Sequence, residues 1–296
     1  MTFQYHEPTN IAEAVALSTR FADAGRFLAG GTDLLVQIQA GRLDPRHVVS
    51  LHRLSELAGI GVNGEIRLGA LVTHRAIERT VAFAGPLRAL IEGAEVIGGH
   101  QVRNVATVGG NVMNASPAAD LVPVLLALDG VAHLIGPDGE RAVALDGFLR
   151  GRGETDRRPG ELLTAVTLPA VPPRSATAFI KAGRRKAMEI SVVCVAARLT
   201  LDASGRCAEA RIALGAVAPR TVRARTAERA LEGHPLTVDV LRRAGELARE
   251  DCDPIGDVRA SARFRRHLVG TLVPRALERC IARVPDGEER CSEVKV

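Results

Sequence analysis

The sequence predicts an α+β chain of three successive units. Strand and helix patterns alternate over residues 1–55. Two hairpin signals, Asn63-Gly64 and the GPDGE run at 136–140, then interrupt apolar segments in the middle of the chain. Finally, "PAVPPR" at 169–174 separates this part from three apolar runs followed by three helical patterns, because proline holds both itself and the preceding residue in extended conformations. A length of 296 residues exceeds the usual size of one domain. The divisions are 1–55, 56–174 and 175–285, with a polar tail at 286–296 expected to fray.

In the first unit, Thr9 or Asn10 can cap a helix that Gly25 stops. A short strand at 26–29, a short helix at 34–39 and a strand at 47–51 complete a β-α-β pattern. The second unit opens with a hairpin at 59–71, after which Thr73 caps a helix to 80 and Pro86 starts another. A helix over 120–128, a hairpin over 131–145, a polar glycine-rich loop at 150–160 and a strand at 162–168 follow. The third unit reads as strands near 176–183, 190–201 and 208–216, then helices near 223–232, 237–250 and 259–282.

Hydrophobic residues at 46% and charged residues at 25% fit a soluble globular protein. No apolar run approaches the roughly 18 residues of a membrane span, and residues 1–10 lack a leader pattern, so the expected location is the cytoplasm. The net charge of +5 is interleaved with acids, and aromatics are only 3%, which argues against nucleic-acid binding. Cys194, Cys207, Cys252, Cys280 and Cys291 form no C-x-x-C pair, so no metal site is expected in this chain.

Two glycine turns stand out: "AGGTDL" at 29–34 and "TVGGN" at 107–111. Glycine accepts positive φ and lets a ligand approach the main chain, so each turn can present N–H groups to an anion. Thr32, Thr107 and Asn111 add neutral donors. Two such turns suit the two phosphates of a dinucleotide, although each alone also reads as a tight structural turn. Neither matches G-x-G-x-x-G or the P-loop pattern, which excludes a nucleotide triphosphatase and leaves a Rossmann site unsupported. No Ser-His-Asp or Cys-His spacing marks a catalytic residue, so the chemistry is expected from a bound cofactor.

These segments resemble the FAD-binding medium subunit of the molybdenum hydroxylases, the xanthine dehydrogenase and carbon monoxide dehydrogenase family. The likeness runs through "AGGTDLL" (29–35), "TVGGNVMNASPAADLVPVLLALDG" (107–130), "GELLTAVTLP" (160–169), "FIKAGRRKAMEISVV" (179–193) and "DPIGDVRASARFRRHLV" (253–269), nearly the whole chain. It implies two N-terminal α/β units forming a vanillyl-alcohol-oxidase-type FAD-binding domain, and a C-terminal unit with a three-stranded antiparallel sheet and helices. The first FAD segment would be Arg26, Phe27, Leu28, Ala29, Gly30, Gly31, Thr32, Asp33 and Leu34, with Gly30, Gly31 and Thr32 at the pyrophosphate. Ala106, Thr107, Gly109, Gly110, Asn111 and Met113 would form the second, with Ile97 and Gly98 on the adenine or ribose side. Asp120 would anchor ribityl or nearby hydroxyls, Leu162 and Leu163 would pack near the flavin ring, and Lys181 would sit beside it.

Alternatives accompany several of these roles. Asp33 and Asp120 each stand where a helix N-cap is expected, and Lys181 is also explained as a surface lysine at a strand end. His100 reads as a solvated histidine. The resemblance further implies partners: a large subunit with the molybdenum cofactor and a small subunit with [2Fe–2S] clusters, assembled as a dimer of heterotrimers. Electrons from those clusters would leave through FAD to an external acceptor. The Arg-rich stretches "GRRK" and "RASARFRR" are available for docking. Glu189 and Phe264 depart from the family's usual Asp and Tyr, and the absence of cysteine before Cys194 rules out the [4Fe–4S] insertion of one branch. A self-sufficient FAD-dependent oxidoreductase of the same flavin fold, like UDP-N-acetylenolpyruvylglucosamine reductase, is the alternative function.

Overall fold

A computed structural model describes residues 2–185 and 187–285, so the expected frayed tail, with Cys291, lies outside the described residues. The first unit is a parallel three-stranded sheet in the order Gln4–His6, His47–Ser50, Gly25–Leu28. The three-residue strand Gln4–His6 has no apolar run to announce it; pairing with His47–Ser50 creates it. The helix Ile11–Phe21 connects the outer strands. Asn10 rather than Thr9 caps it, its side chain accepting from Glu13 N at 2.9 Å, while Glu13 reaches back to Thr9 N at 2.8 Å. The helix ends at Phe21, before Gly25, because Ala22 adopts φ +43 and a 3-10 turn follows.

The second unit is a five-stranded antiparallel sheet in the order Ile60–Asn63, Glu65–Gly69, Leu162–Leu168, Val131–Gly136, Gly139–Ala144. Both hairpins turn where glycine permits left-handed backbone, at Gly64 (φ +75) and Gly139 (φ +103). Every residue of the central strand Leu162–Leu168 is buried. Successive strand side chains point to opposite faces. Leu162 accordingly enters the first unit's core with Leu51, Leu54 and Leu57, and Leu163 enters the second unit's core with Leu121 and Val166. The predicted polar loop contains a small hairpin, Leu149–Gly151 with Glu154–Thr155. It is held by Arg141, which donates to Glu161 Oε1 at 2.5 Å and to Asp156 Oδ2 at 3.1 Å.

The third unit has four antiparallel strands, Ser175–Ala182, Val193–Leu201, Cys207–Gly215 and Val222–Arg223. The two-residue edge strand is too short to register as a pattern, hence the expectation of three. Helices Arg225–Leu231, Val238–Leu247 and Ala262–Ile281 cover this sheet, and Ser261 caps the last by accepting from Phe264 N at 3.2 Å.

Charged side chains stitch the second unit to the third. Glu92 accepts from Phe179 N at 2.8 Å and from Arg283 Nη2 at 2.5 Å. Asp129, at φ +53, receives Arg198 at 2.9 Å and Arg223 at 3.0 Å. Glu92→Ala would leave the Phe179 N–H without this acceptor and the Arg283 guanidinium with only the Thr177 carbonyl, at 2.9 Å. The expected cost is roughly 1–3 kcal/mol of unfolding free energy, measured by urea titration; an unchanged midpoint would show that this contact does not hold the seam.

Candidate cofactor site

The fold brings the two glycine segments into contact. A Cβ on Gly30 would lie 2.0 Å from the Val105 carbonyl oxygen and 2.9 Å from Ala106 Cα, so only glycine allows the two main chains to lie this close. A side-chain bond joins them further along: Asn114 Nδ2 donates to Asp33 Oδ2 at 2.6 Å. Asp33 makes no cap bond to the helix Leu34–Gln39, so bridging replaces its expected capping role.

The segments differ in what they offer a ligand. Gly31 is left-handed at φ +70, and the N–H groups of Gly30, Gly31 and Thr32 donate to no main-chain or side-chain acceptor among the described residues. Consecutive open N–H groups around a left-handed residue make a concave anion cradle. The second segment is instead the helix Val108–Met113, and its N–H groups are engaged. Val108 N donates to Val72 O at 2.9 Å, Gly109 N to Ala70 O at 2.8 Å, Gly110 N to Thr107 Oγ1 at 3.0 Å and Asn111 N to Thr107 O at 2.9 Å. The expectation of a second backbone anion grip is corrected here. Neither Gly109 nor Gly110 has positive φ, and the missing Cβ of Gly109 serves packing, since it would meet Ala70 O at 2.7 Å. This segment contributes side chains, and Asn111 Oδ1 is buried without a donor.

The remaining predicted residues border this contact or lie deeper. Arg26 is exposed and folds back onto Asp23 O and Gly25 O, at 2.8 and 2.7 Å. Phe27 packs on the first core, Leu28 is buried and Ala29 half-buried. Gly98 turns at φ +52, while Ile97 and Met113 pack against the second core. Ala106 and Thr107 are buried, and Gly110 is exposed. Leu162 and Leu163 are fully enclosed in the central strand.

Asp120 and Lys181 form an ion pair at 2.7 Å across the seam between the second and third units. The ammonium also donates to Glu189 O at 2.7 Å and Val96 O at 3.3 Å, so it is an internal tether rather than a surface lysine. Burial pushes the Asp120 carboxyl above the usual range, opposed by Lys181 and by Ser191, whose hydroxyl donates to Oδ1. Asp120 makes no cap bond to the helix Leu121–Ala127, which corrects that alternative. Ser191 was missed because nothing in its local spacing marks it; the fold alone brings it to Asp120.

Other expectations divide. His100 is exposed, yet its Nδ1 lies 3.1 Å from Arg103 Nη2. Within "RASARFRR", Arg265 is buried and donates to Val192 O, Ala216 O and Asp257, so it holds the third unit together and is not a docking group. Among the described residues no cluster of His, Cys, Asp and Glu could hold a metal, and no helix is long and apolar enough to cross a membrane. Burial pushes the Cys194, Cys207, Cys252 and Cys280 thiols up. A cleft of about 500 Å³ opens elsewhere, between Asp129, Asp146, Arg223 and Arg225, but these charges already pair with one another or with their neighbours.

His74 starts the helix beside the second segment, its N donating to Ala106 O at 3.1 Å. Its Nδ1 is buried and unpartnered, and burial, then the Arg103 charge, lowers its pKa from 6.5 to about 4. The unfolded chain therefore binds this proton more readily between those values. Stability conferred by neutral His74 is complete above pH 6.5 and is lost as pH falls to about 4, by up to ~3 kcal/mol. His74→Gln should flatten the stability-versus-pH curve in that window; an unchanged slope in urea titrations at several pH values would refute the assignment.

Comparison with known proteins finds relatives over nearly the whole chain. Residues 1–171 match the family model described as the FAD binding domain in molybdopterin dehydrogenase, and residues 178–280 match the CO dehydrogenase flavoprotein C-terminal domain. The chain is 34% identical to the xanthine dehydrogenase FAD-binding subunit of Escherichia coli O157:H7, over 94% of this chain and 96% of the relative. It is also 34% identical to the carbon monoxide dehydrogenase medium chain of Afipia carboxidovorans, covering 95% and 98%. Among solved structures, a reconstituted CO dehydrogenase from Oligotropha carboxidovorans superposes with a TM-score of 0.92 at 33% identity, over 96% of this chain and 99% of that one. Quinoline 2-oxidoreductase from Pseudomonas putida 86 gives 0.88 at 29% identity, over 95% and 98%.

Proposed function

The chain belongs to the FAD-binding subunits of the molybdenum hydroxylase family, and from that premise we propose that it holds FAD where its two glycine segments meet and works as the electron-transfer subunit of a larger complex. The observation that carries this reading is the open N–H row at Gly30, Gly31 and Thr32, set against a second segment whose Asn111 Oδ1 lacks a donor. A ligand with phosphates at one point and hydrogen-bond donors at another fits that pair of needs, and FAD has both. Gly30, Gly31 and Thr32 would take the pyrophosphate, since charged acceptors make the stronger hydrogen bonds. Asn111 and the Thr107 hydroxyl would meet the neighbouring polar groups. Ile97 and Gly98 would border the adenosine side. Asp120, fixed by Lys181 and Ser191, would accept from flavin-side hydroxyls. When bound, FAD supplies the one- and two-electron exchange that no side chain of this chain offers.

The partners follow from the same reading: a molybdenum-cofactor large subunit, a [2Fe–2S] small subunit, an external electron acceptor, and assembly as a dimer of heterotrimers in the cytoplasm. The medium-chain designation of the carbon monoxide dehydrogenase relative supports a large and a small companion. Copurification of a tagged copy with metal and flavin analysis tests this. A lone monomer that turns over substrate with FAD would overturn it in favour of the self-sufficient oxidoreductase.

The purified chain is expected to release one FAD per chain on acid precipitation, and a flavin-free chain that added FAD does not load would refute the site. Gly30→Ala should weaken FAD binding on the order of tenfold to a hundredfold, because a methyl group cannot share the space of the Val105 carbonyl and the cradle must shift. Gly110→Ala, whose nearest neighbour would be Thr107 Oγ1 at 3.1 Å, should change it by only a few fold. Equal affinities in the two variants would contradict the assignment of the close contact.

A further inference from the structure

Arg103 is 6% exposed, on the short helix His100–Val105, and the sequence reading did not single it out. Its guanidinium is shared among four groups. Nε donates to Glu78 Oε2 at 3.1 Å, Nη1 to Ile97 O at 3.2 Å and Gly98 O at 3.4 Å, and Nη2 lies 3.1 Å from His100 Nδ1. Its main-chain N donates to Gly99 O at 3.0 Å. The turn thus held is one that does not stand easily alone. Gly98 is left-handed, and a Cβ there would meet Val102 at 2.9 Å. Two residues beyond Arg103, the same helix ends in the Val105 carbonyl against which Gly30 packs.

Glu78 anchors the other side. Burial alone would raise its carboxyl, but hydrogen bonds from Arg75 and Arg103 hold it below the usual range, so it stays ionised against the guanidinium. The planar fork of arginine is needed for this arrangement. Here three nitrogens of one rigid plane are used at once, Nε on the carboxylate, Nη1 on the two successive carbonyls and Nη2 beside His100, a spread that a point-like ammonium does not reproduce.

We propose that Arg103 is a positioning residue for FAD: it sets the Ile97–Gly98 turn at a fixed place relative to the Gly30–Val105 contact, and so sets the affinity for the adenosine side of the cofactor. This rests on the reading of the glycine contact as the FAD site. Arg103 acts through main-chain carbonyls, so removing it loosens the turn while the two hydrophobic cores stay intact.

The experiment is an FAD titration of the full chain by flavin fluorescence quenching, alongside urea unfolding of the flavin-free chain and circular dichroism of the flavin band at saturation. R103Q should raise the Kd on the order of tenfold to a hundredfold, the worth of one or two hydrogen bonds to a charged group, and alter the flavin dichroism. R103K should fall between R103Q and the native chain. E78Q should show a smaller rise, and R75Q, which removes only the more exposed partner of Glu78, should stay within about twofold. A purely structural role predicts a lower urea midpoint with native Kd and native dichroism in the fraction that remains folded; that result overturns the proposal, as does a folded R103Q that binds FAD like the native chain. If R103Q does not fold, the Kd and dichroism of R103K and E78Q decide by the same criteria. A native chain that binds no FAD overturns the proposed function and this inference with it, whereas native binding with indifferent variants overturns only the inference.

Discussion

The approach of Gly30 to the Val105 carbonyl constrains the rest of the site. Backbones this close admit no side chain, so the main chains of the first and second units can approach to this distance only where a glycine stands. Once they meet, Asp33 reaches Asn114, while the N–H groups of Gly30, Gly31 and Thr32 stay open and Asn111 Oδ1 stays buried and unpartnered. Those N–H groups tolerate having no protein partner because Thr32 is exposed and Gly30 and Gly31 are half-buried. The second segment has the opposite economy. Its N–H groups are satisfied by Ala70, Val72 and Thr107, which makes it a rigid wall against which the open segment is placed.

That wall is in turn braced from two directions. The central strand Leu162–Leu168 sends Leu162 into one core and Leu163 into the other, so the units share a strand as well as a contact. From the third unit, Lys181 reaches Asp120 and Glu92 receives Arg283, both at positions largely covered from water. Ion pairs of this kind carry a desolvation cost, and their net contribution to stability is modest. Their geometric demand is strict, however: Asp120 with both oxygens engaged has one orientation. The third unit therefore fixes the one carboxylate, Asp120, that the proposed function sets at the flavin, although it contributes nothing to the open N–H row at Gly30, Gly31 and Thr32.

Much of this was legible in the chain itself. Asn63-Gly64 and Gly139 made hairpins because left-handed backbone is cheap for glycine, and Asn10 capped a helix because its side-chain oxygen suits a free N–H. The paired glycines and the motifs from 107 to 130 carried the family resemblance, and the family matches over 1–171 and 178–280 agree with it. Less legible were features whose signal is shorter than a pattern: the strands Gln4–His6 and Val222–Arg223, and the hairpin inside 149–155.

Local residue chemistry thus determined which turns, caps and strands form and where the glycines cluster. Tertiary structure decided what those glycines do. Gly31 provides a left-handed turn, whereas Gly30 and Gly109 provide room for a neighbouring main chain, and sequence cannot separate these uses because each requires the same absent Cβ. It also decided partners for charge. Asp33 and Asp120 sit at helix starts yet bond to Asn114, Lys181 and Ser191, and Arg265 left a basic surface stretch for the interior. A carboxylate or guanidinium pairs with whatever the fold carries to it across the seam, and that proximity is a property of the packed chain.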